Sequence, residues 1–334
     1  MTGTPSCRRN SVYSARRFQV LRPGESAVVD LALPDPGPDD VLVRTRWSAI
    51  SRGTELLVYR GGVPPGQAER MRAPFQVGDV PGPVTSGYLA VGVVESGPAA
   101  LLGRDVFCLH PHQTRFVVPA SAVSVVPDTV PAGRAVLAGT VETAVNALWD
   151  AGPRVGDRIA VVGAGMVGCS VAALLATIAG VRVQLVDVDP ARAAVATTLG
   201  VGFAPPGAAL GDCDLVFHTS ATAAGLARSL ELLGTEGEVI EMSWYGDREV
   251  SVPLGEGFHA GRLAVRSSQV GTVAGARRAR RSHADRMALA LDLLADDRFD
   301  ALVTDTVPFE ALPETMARLA AGAPGLAVRV DYGG

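Results

Sequence analysis

The sequence predicts an α/β protein of two parts, a β-rich N-terminal unit and a doubly wound parallel sheet. Three observations carry that prediction. From Phe18 to about Pro131, short β-branched segments such as SAVVDLAL, DDVLVRTRWSAIS and GYLAVGVVESG are broken by Pro and Gly, as in a turn-rich sheet. From Ala135 onward strands and helices alternate at the spacing of a parallel sheet covered on both faces. The chain has 334 residues, 48% of them hydrophobic, more core than one domain usually holds.

Within the first part, MRAPFQVGDVPGP has no period and reads as a loop. VLAGTVETAVNALWDAG predicts a helix that ends at Gly152-Pro153. The alternation that follows places strands over 157–162, 182–188, 214–219 and 238–243, with helices over 166–179, 190–199 and 222–233. Beyond Gln269, GARRARRSHADRMALALDLLADD predicts a basic helix, and LAVRVDY a last strand.

Composition removes several function classes. The 30 basic residues are all arginine, because the sequence contains no lysine. A Schiff base, a Tyr-Lys proton relay and the lysine of a phosphate-binding P-loop are therefore excluded. A net charge of −4 gives no electrostatic footprint for nucleic acid. Cys7, Cys108, Cys169 and Cys213 form no Cys-x-x-Cys pair, which predicts a reducing, cytoplasmic setting and no structural zinc lobe. The opening MTGTPSCRRN lacks the apolar stretch of a secretory signal. Between Arg158 and Arg182 lie 23 uncharged residues, long enough to span a bilayer. Glycines at 163, 165 and 168 after a β-branched run fit strand, turn and buried helix instead, so no membrane span is expected.

RIAVVGAGMVGCSVAALL carries Gly163-x-Gly165-x-x-Gly168 between a predicted strand and a predicted helix. That context turns a weak glycine pattern into a dinucleotide fingerprint. Gly163 permits the tight turn, Gly165 lets backbone approach a pyrophosphate, and Gly168 lets the helix pack on the strand. The first helical residues, Met166 and Val167, then present unsatisfied N–H groups to the phosphates. Asp187 ends the next strand, 19 residues past Gly168, where it can accept hydrogen bonds from both adenosine ribose hydroxyls. It would repel a 2′-phosphate, which favours NAD(H) over NADP(H); Arg192 either softens that preference or stacks over the adenine. Ser220, Met242, Ser243 and Trp244 end later strands, on the side that lines the cofactor crevice, with core packing as the alternative.

At this point the chain resembles a medium-chain dehydrogenase/reductase, the superfamily of zinc alcohol dehydrogenases and quinone reductases, over nearly its whole length. The resemblance implies a GroES-like catalytic domain over 1–140 and 268–334, a Rossmann domain over 141–267, and a homodimer. SAISRGTE, VFCLHPH, ETAVNALWDAG and RSSQVGTV resemble the branch near the bacteriochlorophyllide hydroxyethyl dehydrogenases. The positions that would carry zinc are changed: Ser51 stands for the first Cys, Gly87-Tyr88-Leu89 for Gly-His-Glu, and Ala138 or Gly139 for the last Cys. Zinc needs Cys, His or carboxylate ligands, so none is expected. Cys108, His110 and His112 form a C-x-H-x-H run whose spacing suits convergence on one ion poorly.

Without a Lewis acid, hydride transfer to a carbonyl needs a group to stabilise the alkoxide and a proton source. Tyr88 and Ser51 should face the nicotinamide region. His110 or His112 could border the cleft and relay a proton, or be a solvated loop histidine. Glu55 and Glu142 are the nearest carboxylates, each a base, an orienter or the partner of an arginine. Arg277, Arg278, Arg280 and Arg281 form either a solvated face or a site for an anionic substrate group. The expected activity is zinc-free, NAD(P)-dependent interconversion of a secondary alcohol and a ketone on a polar or bulky small molecule. The alternatives are zinc-free reduction of an activated C=C bond and nucleotide binding without catalysis.

Overall fold

A computed structural model describes residues 13–333. Cys7 and the opening MTGTPSCRRN lie outside the described residues. The N-terminal part holds two sheets. Strands β1 (Tyr13–Arg22) and β2 (Glu25–Leu33) form an antiparallel hairpin, and the short β4 (Val84–Thr85) joins β1. The larger sheet contains β3 (Asp40–Ile50), β5 (Ala90–Ser96), β6 (Asp105–Cys108), β7 (Arg115–Pro119), β8 (Val123–Val125) and, from the chain's end, β15 (Val303–Pro308) and β16 (Ala327–Asp331). Strand β16 pairs antiparallel with β3, which returns the C-terminus to the N-terminal part. Helix α1 (Arg52–Tyr59) follows β3 directly and packs against α9 (Leu312–Ala320).

A helical turn, α2 (Ala132–Ala135), leads into α3 (Ala138–Ala151), which closes on Gly152 in the left-handed conformation, where glycine carries no Cβ penalty. The six-stranded parallel sheet has the order β11 (Gly202–Ala204), β10 (Arg182–Val186), β9 (Arg158–Val162), β12 (Cys213–His218), β13 (Leu233–Glu241), β14 (Ala264–Ser267). Strand β9 is buried on both faces from Ile159 to Val162, as a central parallel strand covered by helices must be. Helices α4 (Met166–Leu175), α5 (Arg192–Leu199) and α6 (Ala223–Glu231) are its crossovers, and α7 (Gly257–Ala260) precedes the last strand. The uncharged run 159–181 divides into β9, the glycine turn and α4; no described helix is long and apolar enough to cross a membrane.

Three local expectations are corrected. The basic helix starts later than its composition suggests: α8 runs His283–Leu293, and Arg277 to Arg281 lie exposed in turns. Ser282 and Asp285 form a reciprocal capping box that fixes the helix start, and the arginine cluster before it would repel itself along a helix face. Helix α4 ends at Leu175, four residues before the expected end. Strand β13 begins at Leu233, inside the segment expected to finish the preceding helix. Helix α8 packs on α3, pinned by Arg286, which is buried and ion-paired to Glu142 at 3.0 Å.

Candidate active site

The glycine turn occupies the carboxyl end of β9. Gly163 has φ +106°, and a Cβ there would come within 2.7 Å of the Ser220 backbone nitrogen. A Cβ on Gly168 would lie 1.9 Å from the Gly163 carbonyl oxygen, so helix and turn approach more closely than any side chain allows. Over Gly165 nothing lies within 4 Å of a would-be Cβ. This open space meets the start of α4, where Gly165 offers no capping side chain to the N–H groups of Met166 and Val167. Asp187 Oδ2 accepts from Ala164 N at 2.6 Å and Oδ1 from Asp189 N at 2.9 Å. Each carboxylate oxygen therefore keeps a lone pair for a ribose hydroxyl. These residues fit a dinucleotide.

Arginines from both parts of the chain meet at the Gly325 carbonyl. Arg192 pairs with Asp189 at 3.4 Å and reaches Gly325 O at 3.5 Å; Arg52 donates to Gly325 O at 2.6 Å and Ala323 O at 2.8 Å. Burial and the neighbouring Arg192 lower the Arg52 pKa. Two cations held this close would be stabilised by an anion between them. Arg52 is absent from the sequence-based candidates, although it directly follows Ser51.

Ser51 immediately precedes α1 without capping it through its side chain, and Tyr88 precedes β5; the Tyr88 hydroxyl donates to Ser51 Oγ at 2.6 Å. Burial raises the Tyr88 pKa, and its hydrogen-bonding contacts with Ser51 and Thr54 partly offset that rise. The neighbouring positions are apolar. Leu89 is fully buried, and a Cβ on Gly139 would lie 2.5 Å from its Cδ2. Two neutral hydroxyls, a leucine and a glycine do not make a zinc donor set. Among the described residues, no group of three or more His, Cys, Asp or Glu is placed to hold a metal ion.

Beneath the hydroxyl pair runs a buried polar chain. Glu55 Oε1 accepts from Ser51 N at 2.7 Å, while Oε2 accepts from Ser86 Oγ at 3.2 Å and meets His112 Nε2 at 3.0 Å. His112 Nδ1 lies 2.7 Å from Ser48 Oγ, itself 3.0 Å from Tyr332 Oη. Gly87, with φ +98°, makes room for this imidazole: a Cβ would lie 2.5 Å from His112 Cδ2. Glu55 and His112 are therefore joined to Ser51 through its backbone and hold α1's first turn in place. His110 faces elsewhere, stacked at 4.0 Å and 9° on Phe116 and bonded to Pro111 O at 2.9 Å. Burial lowers its pKa to about 4. Cys108 is buried, its thiol pushed up to about 12. The C-x-H-x-H side chains thus reach three separate sets of partners.

Glu142 is buried against Arg286, whose guanidinium also binds Asn146 Oδ1 and Val270 O. Ser220 belongs to a second cluster at the ends of β12 and β13. Its hydroxyl lies 2.7 Å from His218 Nε2; His218 Nδ1 meets Glu241 Oε2 at 2.7 Å, and the Tyr245 hydroxyl donates to that oxygen at 3.0 Å. Burial opposes ionisation of Glu241, yet hydrogen bonds from His218 and the Ser243 backbone hold its pKa below the usual carboxylate range. Sequence reasoning missed His218, Glu241 and Tyr245; polar side chains inside the apolar strand patterns VFHTS and VIEMSWY were the available signal. Met242 packs against the main core, and Trp244 lies half-buried just beyond β13.

No family model matches the chain. The L-threonine 3-dehydrogenase of Deinococcus radiodurans is 26% identical over 217 residues, 56% of this chain and 60% of that protein; the match thus spans less than two thirds of this relative's length. Among solved structures, 2R,3R-butanediol dehydrogenase from Bacillus subtilis matches with TM-score 0.76 and 16% identity over 95% of this chain and 99% of its own. L-idonate 5-dehydrogenase from Escherichia coli matches at 0.77 and 16% over 96% and 99%, and an alcohol dehydrogenase from Thermus sp. at 0.72 and 21% over 95% and 99%. These likenesses establish the fold, a GroES-like part joined to a Rossmann-type part as in medium-chain dehydrogenases.

Proposed function

We propose that the protein is a zinc-independent, NAD(P)-dependent oxidoreductase that interconverts a secondary alcohol and a ketone on a polar or bulky small molecule. The Ser51–Tyr88 hydroxyl pair, 2.6 Å apart, carries this reading, because it stands where the resemblance expects zinc ligands. A bound nicotinamide would supply or accept the hydride. Tyr88 donates to Ser51 Oγ, which leaves the Ser51 hydrogen free to turn toward a carbonyl oxygen. As an alkoxide develops, Ser51 passes its proton to that oxygen and Tyr88 passes its own to Ser51. A phenol is intrinsically a stronger acid than an aliphatic alcohol, which favours this direction of transfer, while burial raises the Tyr88 pKa and narrows the difference.

Glu55 and His112 serve as positioning residues through the Ser51 backbone. Glu142 positions α3 against α8 through Arg286. In this reading Gly163, Gly165, Met166, Val167 and Gly168 bind the pyrophosphate, with Arg52 and Arg192 as counter-charges. Asp187 binds the adenosine ribose and favours NAD(H). Ser220, Met242 and Trp244 line the crevice. The kinship with bacteriochlorophyllide hydroxyethyl dehydrogenases rests on the sequence segments alone. Three free buried cysteines support a reducing cytoplasm, and the exposed edge strand β14 supports a homodimer. Calorimetric titration of metal-stripped protein with NADH and NADPH, followed by turnover of ketones and enones, tests the reading. Dinucleotide binding with ketone reduction supports it; reduction of enones alone, or binding without turnover, would replace it with one of the two alternatives.

A further inference from the structure

Loop 71–83, apolar in part and without strand or helix, contains a residue in the wrong conformation for its type. The Gln76 N–H bonds Ala73 O at 3.1 Å, closing a turn with Pro74 and Phe75 at its centre. Phe75 has φ +57°, in the left-handed region that this position of a turn normally gives to Gly or Asn. The loop is nevertheless well tied. Arg72 binds Gln76 O and Gly78 O and pairs with Asp79, while the Val77 backbone exchanges hydrogen bonds with Thr85. A bulky residue held at positive φ on a fixed loop is a backbone outlier of the kind that clusters at ligand-binding sites.

Phe75 is 40% exposed, and Val77 near it is 51% exposed. One ring face is backed by His110 at 5.6 Å and 27°, and His110 in turn by Phe116 at 4.0 Å and 9°. Phe116 sits in β7, so a pile of three rings stands on the sheet with its outermost member open to solvent. The pile stands near the polar chain beneath the hydroxyl pair, its middle ring His110 lying close enough to His112 for that imidazole to disfavour its protonation. Thr85, bonded to Val77, is followed by Ser86, whose carbonyl accepts from His112 N, and then by Gly87 and Tyr88. Leu109, next to His110, lies within 3.6 Å of a Cβ placed on Gly139.

We propose that Phe75 is the stacking platform for a planar aromatic or heteroaromatic ring of the substrate, and sets the protein's specificity for that class. The inference rests on the oxidoreductase reading for the identity of the site. Aromatic faces stack offset at the separations already present in this pile, and a saturated ring cannot match that contact. A neutral imidazole beneath Phe75 completes the pile without placing a charge under it.

Acetophenone and cyclohexyl methyl ketone share a carbon skeleton and differ in ring planarity. Their dissociation constants from the NADH-loaded protein should differ at least tenfold in favour of acetophenone. Phe75→Leu should remove that difference while leaving NADH affinity unchanged, and Phe75→Trp should restore it. Equal affinities in the parent protein, binding of neither ketone, or a preference that survives in Phe75→Leu would overturn the proposal. Where both variants lose solubility, Phe116→Leu reads the same preference from the base of the pile. Aromatic preference without ketone reduction upholds the platform and overturns the oxidoreductase reading; reduction without the preference does the reverse.

Discussion

Asp187→Asn changes the charge at the adenosine end of the crevice while keeping the shape of the side chain. In the parent protein both carboxylate oxygens face backbone donors, Ala164 N at 2.6 Å and Asp189 N at 2.9 Å. An asparagine can satisfy only one of them, because its amide nitrogen then meets the other as donor against donor. Losing one charge-assisted bond and stranding an N–H should cost about 1–3 kcal/mol of stability. The remaining lone pairs would have received the ribose hydroxyls, and charge-assisted bonds of that kind contribute about 1.5–3 kcal/mol each. The NADH dissociation constant should therefore rise at least about tenfold. The damaged turn weakens both dinucleotides, whereas removal of the negative charge helps only the one that bears a 2′-phosphate. The ratio of NADPH to NADH dissociation constants, from fluorescence titration, should thus fall at least about tenfold, with a melting scan reporting the stability cost separately. An unchanged ratio would refute the role given to Asp187.

Four further outcomes are expected. Gly168→Ala should destabilise the protein by about 1–3 kcal/mol or more in urea unfolding, since the added carbon meets backbone at 1.9 Å, whereas Gly165→Ala should leave stability unchanged and weaken NADH binding. Glu142→Gln leaves Arg286 without its buried carboxylate and should cost about 3–5 kcal/mol with little effect on kcat; a large fall in kcat at unchanged stability would mark Glu142 as a base. His110 has a folded pKa of about 4, below its ordinary value near 6.5, so the unfolded chain binds more protons between those values. Stability should then be complete above pH 6.5 and fall by about 3 kcal/mol as pH drops toward 4; His110→Phe should flatten that part of the urea midpoint profile.

The glycine turn, Asp187 and the alternating elements were legible in the sequence because each depends on neighbours within about thirty residues. The hydroxyl pair was legible only through the resemblance, since Ser51 and Tyr88 are 37 residues apart. The chain from Tyr332 through Ser48 and His112 to Glu55 was not, because it requires β16 to pair with β3 across the length of the protein. For Glu142 the sequence left base, orienter and arginine partner open, because the arginine it meets lies 144 residues away. The basic segment misled for a local reason: arginine has good helix propensity, but a cluster of like charges preceding a serine cap gains more from turns open to water. Phe75 gave no periodic signal, and its left-handed backbone is a property of the folded turn that its residue type does not announce.

The central claim is that two hydroxyls, without zinc, support hydride transfer to a ketone. Chelator-treated protein, shown metal-free by elemental analysis, should transfer deuterium from 4-deuterated NADH to a ketone carbon, as read by mass spectrometry of the alcohol. Tyr88→Phe removes the proton that Ser51 draws on and should slow that transfer by about 100–10,000-fold, the range for loss of a general acid, with NADH affinity unchanged. Transfer that appears only after zinc is added, or that proceeds equally well in Tyr88→Phe, would contradict it.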